Sequence, residues 1–189
     1  MKDYDGTEFP DDMVESSADF AGIPDGFQRL WTPHRLAYIE QGQTAAGAGT
    51  ECVFCTAPTL PDEQALIVHR GELGYVLLNL FPYNSGHLLV VPYRHVALYD
   101  EATAPETAEI AGLTQTAMRV LTATSRADGF NVGMNLGAVA GAGVASHLHQ
   151  HLVPRWSGDT NFFPIVAHTK ALPKLLGEVR AELAAAWPA

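Results

Sequence analysis

The stretch Ser-His-Leu-His-Gln-His-Leu-Val-Pro-Arg-Trp, at residues 146–156, decides both the fold and the chemistry of this chain. Three histidines stand at every second position of the stretch: His147, His149 and His151. Side chains of a β-strand alternate between its two faces, so a strand over 147–153 presents all three imidazoles on one side. Leu148 and Leu152 then point to the other side. Three neutral imidazoles on one face suit a metal site, a proton relay or a phosphate-handling site.

The neighbouring sequence predicts further strands. Residues 74–80 and 87–92 are rich in β-branched and aliphatic side chains and flank a turn segment, which indicates an antiparallel hairpin. Another strand is predicted over 130–136. The histidine strand is predicted to end at Pro154, because proline cannot donate to a sheet ladder.

Helical periodicity appears in two places. A long helix is predicted to begin at Thr103 or Ala104 and to end before Asp128, since its apolar residues recur every three or four positions. A C-terminal helix is predicted over 170–187, with one apolar side. Strands, a long helix, then strands again predict an α+β domain, in which an antiparallel sheet packs against the long helix.

Composition limits the functions that this chain can have. The sequence has 189 residues, 11 basic and 21 acidic side chains, and a net charge of −10. Proteins that bind duplex nucleic acid without regard to its base sequence carry a basic surface patch. This acidic chain has too few basic residues for one. No apolar run is long enough to predict a membrane span. The acidic start of the chain does not resemble a secretory signal, and only two cysteines occur, so a reducing, cytoplasmic setting is predicted.

The charge is unevenly distributed. Residues 1–27 carry eight acidic side chains and one lysine without a sustained hydrophobic period, which predicts a mobile tail. Residues 28–189 are predicted to form a single domain, since their length is typical of one.

The two cysteines form a C-x-x-C pair, Cys52 and Cys55, which by itself is compatible with a redox site or a metal site. Ala57-Pro58 follows almost at once, so the helix that a thioredoxin-like site requires is poorly supported. Two thiolates together with two imidazoles, from His95 and His147, would make a closed tetrahedral zinc site.

The stretch 146–156 resembles the histidine-triad family, whose motif is His-x-His-x-His followed by apolar residues. The resemblance extends over about residues 52–156, through the hairpin at 79–92 and the strand end at 135–137. Within the family, three segments are similar to the actinobacterial diadenosine tetraphosphate phosphorylases: residues 28–35, 129–137 and 153–156.

The resemblance implies roles for two of the histidines. His149 would be the nucleophile that attacks an α-phosphorus and forms a nucleotidyl-histidine, with its other ring nitrogen anchored on a backbone carbonyl of the same strand. A neutral imidazole is nucleophilic near pH 7, which suits that role. His151 would lie beside the departing phosphate oxygen and either stabilise its charge or donate a proton.

The resemblance also implies nucleotide contacts, each with a structural alternative. Asn79 corresponds to a residue that binds the ribose hydroxyls, and its structural alternative is a turn-forming asparagine. Asn135 corresponds to an asparagine on the phosphate side or the histidine side of the site, and its structural alternative is an asparagine in a turn at the end of a strand. Many hydrolases of the family carry Gln or Ser where this chain has Gly143, so only main-chain N–H groups could contact phosphate there. Alternatively, the glycine-rich loop is simply a tight hairpin. Trp156 corresponds to the adenine or phosphate end, or it packs in the core.

Members of the superfamily that keep zinc place its ligands at positions that this chain fills: Cys52, Cys55, His95 and His147. The resemblance therefore implies a structural zinc that joins the cysteine loop to the catalytic strand.

The implied activity is nucleotidyl transfer from a diadenosine polyphosphate to inorganic phosphate, by a homodimer that shares a ten-stranded sheet or by a larger assembly. Two alternatives stand: hydrolysis of dinucleoside polyphosphates or nucleoside phosphoramidates, and a zinc-stabilised nucleotide-binding module without turnover. Arg155 suits an incoming phosphate as a bidentate donor, or it caps a nearby carboxylate.

Overall fold

The computed structural model describes residues 52–159 and 174–188, so the predicted acidic tail lies outside the described residues. Within these ranges lie five strands: Ile67–Arg70 (β1), Gly74–Leu78 (β2), Leu88–Pro92 (β3), Gly129–Gly133 (β4) and Gln150–Arg155 (β5). Four α-helices accompany them: Val53–Thr56 (α1), Asp62–Ala65 (α2), Ala104–Ser125 (α3) and Leu176–Ala185 (α4).

The strands form one antiparallel sheet in the order β1-β2-β3-β5-β4. The predicted hairpin is β2 and β3, paired from Gly74 opposite Pro92 to Leu78 opposite Leu88. Strand β5 lies between β3 and β4, and His151 stands opposite Leu89. The α+β class and the antiparallel sheet with a long packed helix are therefore confirmed.

Apolar side chains cover both faces of the sheet. On one face, alternate residues of β2, β3 and β5 pack against α3 and α4: Val76, Leu78, Leu88, Val90 and Leu152 against Ile110, Leu113, Ala117, Leu121, Val179 and Leu183. On the other face, Tyr75, Leu77, Leu89 and Val91 pack against Phe54 and Ala57 from the segment around α1. Because each fully buried side chain of this kind contributes roughly 1.5–3 kcal/mol, both layers hold the sheet.

Strand β5 departs from its predicted bounds at both ends. It begins at Gln150, because the N–H of Leu148 donates to the carbonyl of Val96 outside the sheet. It also continues through Pro154, which pairs with Phe130 of β4. A proline is tolerated there because β3 pairs with β5 only over 150–152, so no neighbour on that side requires the missing N–H.

Other bounds differ in smaller ways. Strands β2 and β4 end before 80 and 136, and β1, a four-residue strand with a bulge, was not predicted at all. The predicted C-terminal helix begins at Leu176, and its predicted first residues, up to 173, lie outside the described part of the chain. Leu175, the N-cap residue of this helix, is exposed.

Helix α3 begins where the sequence predicts. Thr103 is its N-cap, and its hydroxyl accepts from the N–H of Glu106 while the Glu106 carboxylate accepts from the N–H of Thr103. The helix ends before Arg126, which adopts a left-handed conformation with φ of 54°. Among the described helices, none combines the length and the apolarity that crossing a membrane requires.

Glu106 also accepts two hydrogen bonds from the guanidinium of Arg94, both at 2.8 Å, although its side chain is only 7% exposed. The Arg94 hydrogen bond, followed by that of the Thr103 N–H, lowers the pKa of Glu106 from 4.5 to about 2. The buried carboxylate therefore joins the start of α3 to the segment that follows β3.

We expect Glu106→Gln to lower the free energy of unfolding at neutral pH by about 1–3 kcal/mol, the usual contribution of hydrogen bonds to a charged group. The native carboxylate has the lower pKa, so its contribution is complete above the unperturbed value of 4.5 and is lost as pH falls towards 2. Urea denaturation between pH 7 and 2.5 measures this. A wild-type-to-variant difference that stays constant with pH would contradict it.

Candidate active site and metal site

The three histidines of the 146–156 stretch share one face of the sheet. His149 and His151 are in ring contact, with centroids 5.0 Å apart, and Phe54 contacts both His147 and His149. The intervening side chains face the helices: Leu148 and Leu152 belong to the helix-side core, and the amide of Gln150 donates to the Thr114 hydroxyl. The alternation predicted for this segment is therefore confirmed, although only part of it lies in β5.

His149 is held in one tautomer. Its Nδ1 lies 2.8 Å from the carbonyl oxygen of His147, so Nδ1 carries the proton and donates. The other ring nitrogen, Nε2, is left with an available lone pair. The residue is 6% exposed, and burial lowers its pKa more strongly than the hydrogen bond raises it. His149 is thus neutral near pH 7, the form in which an imidazole is a nucleophile.

A chain of hydrogen bonds determines the tautomer of His151. The N–H of Tyr83 donates to Nδ1 of His87 at 3.0 Å, so the proton of neutral His87 lies on Nε2. That Nε2 lies 2.9 Å from Nδ1 of His151, which must therefore accept. The proton of His151 is consequently on its own Nε2. This buried atom has no hydrogen-bond partner among the described residues, so it can donate to a substrate oxygen.

Burial, with a smaller contribution from the neighbouring His149, lowers the pKa of His151 to about 4. The ring is therefore neutral near pH 7 and offers a hydrogen bond from Nε2 rather than a full positive charge. A lone pair on His149 and an N–H on His151 stand side by side on neighbouring rings.

A second cluster lies next to the triad. Nδ1 of His147 is 3.3 Å from Sγ of Cys52 and 3.5 Å from Sγ of Cys55, and Nδ1 of His95 is 3.2 Å from Sγ of Cys55. All four potential ligand atoms lie within 4.8 Å of one another. Short helix α1 brings the two thiols together, and His95 follows the end of β3.

The donor set fits a tetrahedral metal ion. With zinc–sulfur and zinc–nitrogen bonds of about 2.3 and 2.0 Å, the sulfur–nitrogen edge of a tetrahedron is roughly 3.5 Å, close to the observed separations. Nε2 of His147 lies 2.9 Å from the carbonyl oxygen of Pro92 and donates to it, which leaves Nδ1 as the ligand atom. The cluster of two cysteines and two histidines can therefore bind a metal, with all four positions supplied by protein.

Comparison with known proteins agrees with this arrangement. A family model described as the HIT domain matches residues 61–158, more than half of the chain. The chain belongs to the histidine-triad (HIT) family. The AP-4-A phosphorylase of Mycobacterium tuberculosis is 47% identical over 170 residues, which cover 88% of this chain and 87% of that protein. The bis(5'-adenosyl)-triphosphatase of Saccharomyces cerevisiae is 34% identical over 91 residues, covering 48% and 44%.

Solved structures show the same histidine-triad fold. A zinc-bound histidine triad family protein from Mycobacterium smegmatis superposes with a TM-score of 0.59 at 27% identity, covering 72% of this chain and 93% of that one. A histidine triad nucleotide-binding protein from Sulfolobus tokodaii gives 0.58 at 27% identity, covering 71% and 91%.

Two residues of this histidine-triad site were not singled out by sequence. His87 is fully buried. The sequence does contain a signal for the position of His87. It alternates with Leu89 and Val91 of β3, which face the same side of the sheet as the triad. Phe54 stands between the two cysteines, and its ring centroid lies 5.0 Å from that of His149. Its backbone carbonyl accepts from the Tyr75 hydroxyl, which fixes the segment on the sheet.

The residues that the histidine-triad resemblance implies for nucleotide binding lie in different places. Asn79 accepts from the N–H of Phe81 and approaches Nδ1 of His87 at 3.4 Å, so it forms a turn and adjoins the histidines. Asn135 and Gly143 lie in the loop between β4 and β5, half-buried and exposed respectively. This loop leads directly into the triad.

Trp156 lies on the helix side. Its indole N–H donates to the carbonyl of Ser125 at the end of α3, and its ring lines a cavity of about 340 Å³ with Leu121 and Val179. Arg155 donates to both carboxylate oxygens of Asp159, at 2.6 and 2.8 Å. Of the two roles considered for Arg155, the structure therefore shows the one in which it caps a nearby carboxylate.

Proposed function

We propose that this chain is a nucleotidyltransferase that cleaves diadenosine tetraphosphate with inorganic phosphate, giving ADP and ATP. The observation that carries the proposal is the paired histidines: His149 has its Nε2 lone pair available, and the buried Nε2–H of His151 has no hydrogen-bond partner among the described residues. The name of the Mycobacterium tuberculosis relative, at 47% identity over most of both chains, supports phosphate as the acceptor.

In the first step, Nε2 of His149 attacks the α-phosphorus and forms a P–N bond. The bridging P–O bond breaks, and its electron pair leaves with ATP. The hydrogen bond from Nε2–H of His151 stabilises the negative charge that develops on this oxygen. A phosphate oxygen is weakly basic, so a hydrogen bond from neutral His151 is sufficient and no full proton transfer is needed.

In the second step, an oxygen of inorganic phosphate attacks the same phosphorus. The new P–O bond forms as the P–N bond breaks, and the electron pair returns to Nε2 of His149, which regenerates the neutral imidazole. Nδ1 of His149 keeps its proton throughout, because it donates to the carbonyl of His147. The leaving imidazole is therefore neutral rather than anionic.

Hydrolysis is the second candidate, since the same intermediate releases AMP when water attacks. The similarity to a yeast triphosphatase over about half of this chain favours it. A binding module without turnover is less well supported, because a buried histidine with an oriented lone pair has no purpose in binding alone. Asn79, Asn135 and Gly143 remain proposed nucleotide contacts beside the triad. For Trp156 the proposal is weaker, because its indole is engaged on the helix side.

We also propose that the metal is zinc and that its role is structural. Cysteine and histidine in a closed set of four are the ligands that structural zinc prefers, and a zinc-bound relative shares the fold. When bound, the ion would hold Cys52, Cys55 and His95 to His147, whose carbonyl orients the nucleophile. Thiolate ligands require a reducing compartment, so a cytoplasmic location stays a prediction.

A homodimer with a continuous sheet is a further proposal. Among the described strands, β4 is an edge that pairs only with β5, and Val132 on that edge is 49% exposed. An edge strand that exposes apolar side chains is suited to pair with a second copy.

We expect His149→Ala to lower kcat by at least about 10⁴-fold with the fold retained, because the covalent nucleophile is lost. Wild-type protein quenched in alkali, which preserves a phosphoramidate, should yield an adenylylated peptide that contains His149. His69→Ala, a change at an imidazole on β1, is the matched control and should stay active. Near-normal turnover by His149→Ala would exclude the covalent mechanism.

The purified protein should contain about one zinc ion per chain. Cys52→Ser should lose most of it and lower the thermal midpoint by about 5–10 °C, equivalent to roughly 2–3 kcal/mol. Val53→Ser, an exposed non-ligand in the same short helix, should keep the metal. Elemental analysis that finds no metal in wild-type protein, or a Cys52–Cys55 disulfide, would refute the zinc site.

The rate of cleavage of diadenosine tetraphosphate should rise with phosphate concentration and saturate, with ADP and ATP as products in equal amounts. Separation of the nucleotides by chromatography measures this directly. A rate that is independent of phosphate, with AMP in place of ADP, would establish the hydrolase instead.

A further inference from the structure

Tyr83 packs against the rings of His151 and His87 at the edge of the histidine site. Its ring stacks on that of His151, with centroids 5.7 Å apart and planes at 19°, and lies 4.8 Å from that of His87. Half of the side chain, 51%, is exposed. The ring is therefore a boundary between the buried imidazoles and solvent.

The turn that carries Tyr83 is anchored on both sides. Before it, Asn79 accepts from the N–H of Phe81. After it, the amide of Asn84 donates to the carbonyl of Pro154 and to Asp159. The N–H of Tyr83 itself donates to His87. These hydrogen bonds fix the position of the Tyr83 ring beside the histidines.

The leaving group and the acceptor use the same place in a double displacement. ATP departs from the side of the phosphorus opposite His149, and the acceptor attacks the adenylyl-histidine from that same side. The unpartnered Nε2–H of His151 marks this place, because it is the donor directed at the leaving oxygen. Tyr83 packs against the ring of His151, so it borders the acceptor position.

We propose that the ring of Tyr83 determines which acceptor is used, by restricting water at the adenylyl-His149 intermediate while phosphate is admitted. This inference rests on the proposed function. Phosphate enters as an anion that the His151 N–H can hold. Water gains less from that donor and is smaller, so it must be kept out by shape.

The two competing steps balance as follows. With phosphate, one P–O bond forms, the P–N bond breaks, and the electron pair returns to Nε2 of His149, giving ADP. With water, the same bonds form and break, the attacking water also loses a proton to bulk solvent, and the product is AMP. The ratio of ADP to AMP therefore reports the acceptor choice.

Three variants test the assignment: Tyr83→Val removes the ring, Tyr83→Phe removes only the hydroxyl, and Phe81→Val changes an aromatic residue of the same turn that is 72% exposed. Each is incubated with diadenosine tetraphosphate at fixed phosphate, and ADP and AMP are quantified. For Tyr83→Val we expect the AMP-to-ADP ratio to rise roughly tenfold, a barrier difference of about 1.4 kcal/mol. Tyr83→Phe and Phe81→Val should keep the wild-type ratio.

The backbone N–H of Tyr83 is present in every variant, so the tautomers of His87 and His151 are preserved. The ratio counts only products of active molecules, so a smaller folded fraction does not change it. An unchanged ratio in Tyr83→Val, or an equal rise in Tyr83→Phe or Phe81→Val, would overturn the role of the ring. Wild-type protein that makes only AMP at all phosphate concentrations would instead overturn the proposed phosphorolysis.

Discussion

The histidine site depends on the way His147 is bonded from three sides. Its Nε2–H donates to the carbonyl of Pro92 at the end of β3, and its Nδ1 faces the two thiols. Its own carbonyl accepts from Nδ1 of His149. One residue therefore joins the central strand, the cysteine–histidine cluster and His149, and a shift of its backbone would move all three. Almost complete burial makes these bonds costly to break, since each separated group would lose its partner without gaining water.

The second half of the site is controlled from a different element. His151 obtains its tautomer from His87 and, through it, from a backbone N–H in the β2–β3 turn. His149 is thus oriented by its own stretch of chain and His151 by the hairpin. Burial lowers the pKa values of His149 and His151, so both rings are neutral near pH 7. Two adjacent neutral rings with opposite hydrogen-bonding roles are the result.

Much of this could be predicted from sequence because the period of a strand is two. Alternation alone placed the three imidazoles on one face and the leucines on the other, and residue types together with the family resemblance pointed to the four residues of the potential metal cluster. Strand β1 was missed because four residues with a bulge offer too short a pattern. The bounds of β5 depended on which neighbour lies beside Pro154, a matter of tertiary pairing. The place of Trp156 on the helix side, and that of Phe54 against His149, likewise follow from packing that no local pattern encodes.

The metal cluster joins residues far apart along the chain: Cys52 and His147 are separated by 95 positions. At a synthesis rate of about 5–20 residues per second, the thiols leave the ribosome roughly 5–20 s before the imidazole that completes their set. During that interval the two thiols of the nascent chain lack His147, and for the first part of it they lack His95 as well. The cluster, and with it the orientation of His149, therefore cannot assemble during translation until the segment that carries His147 has been made.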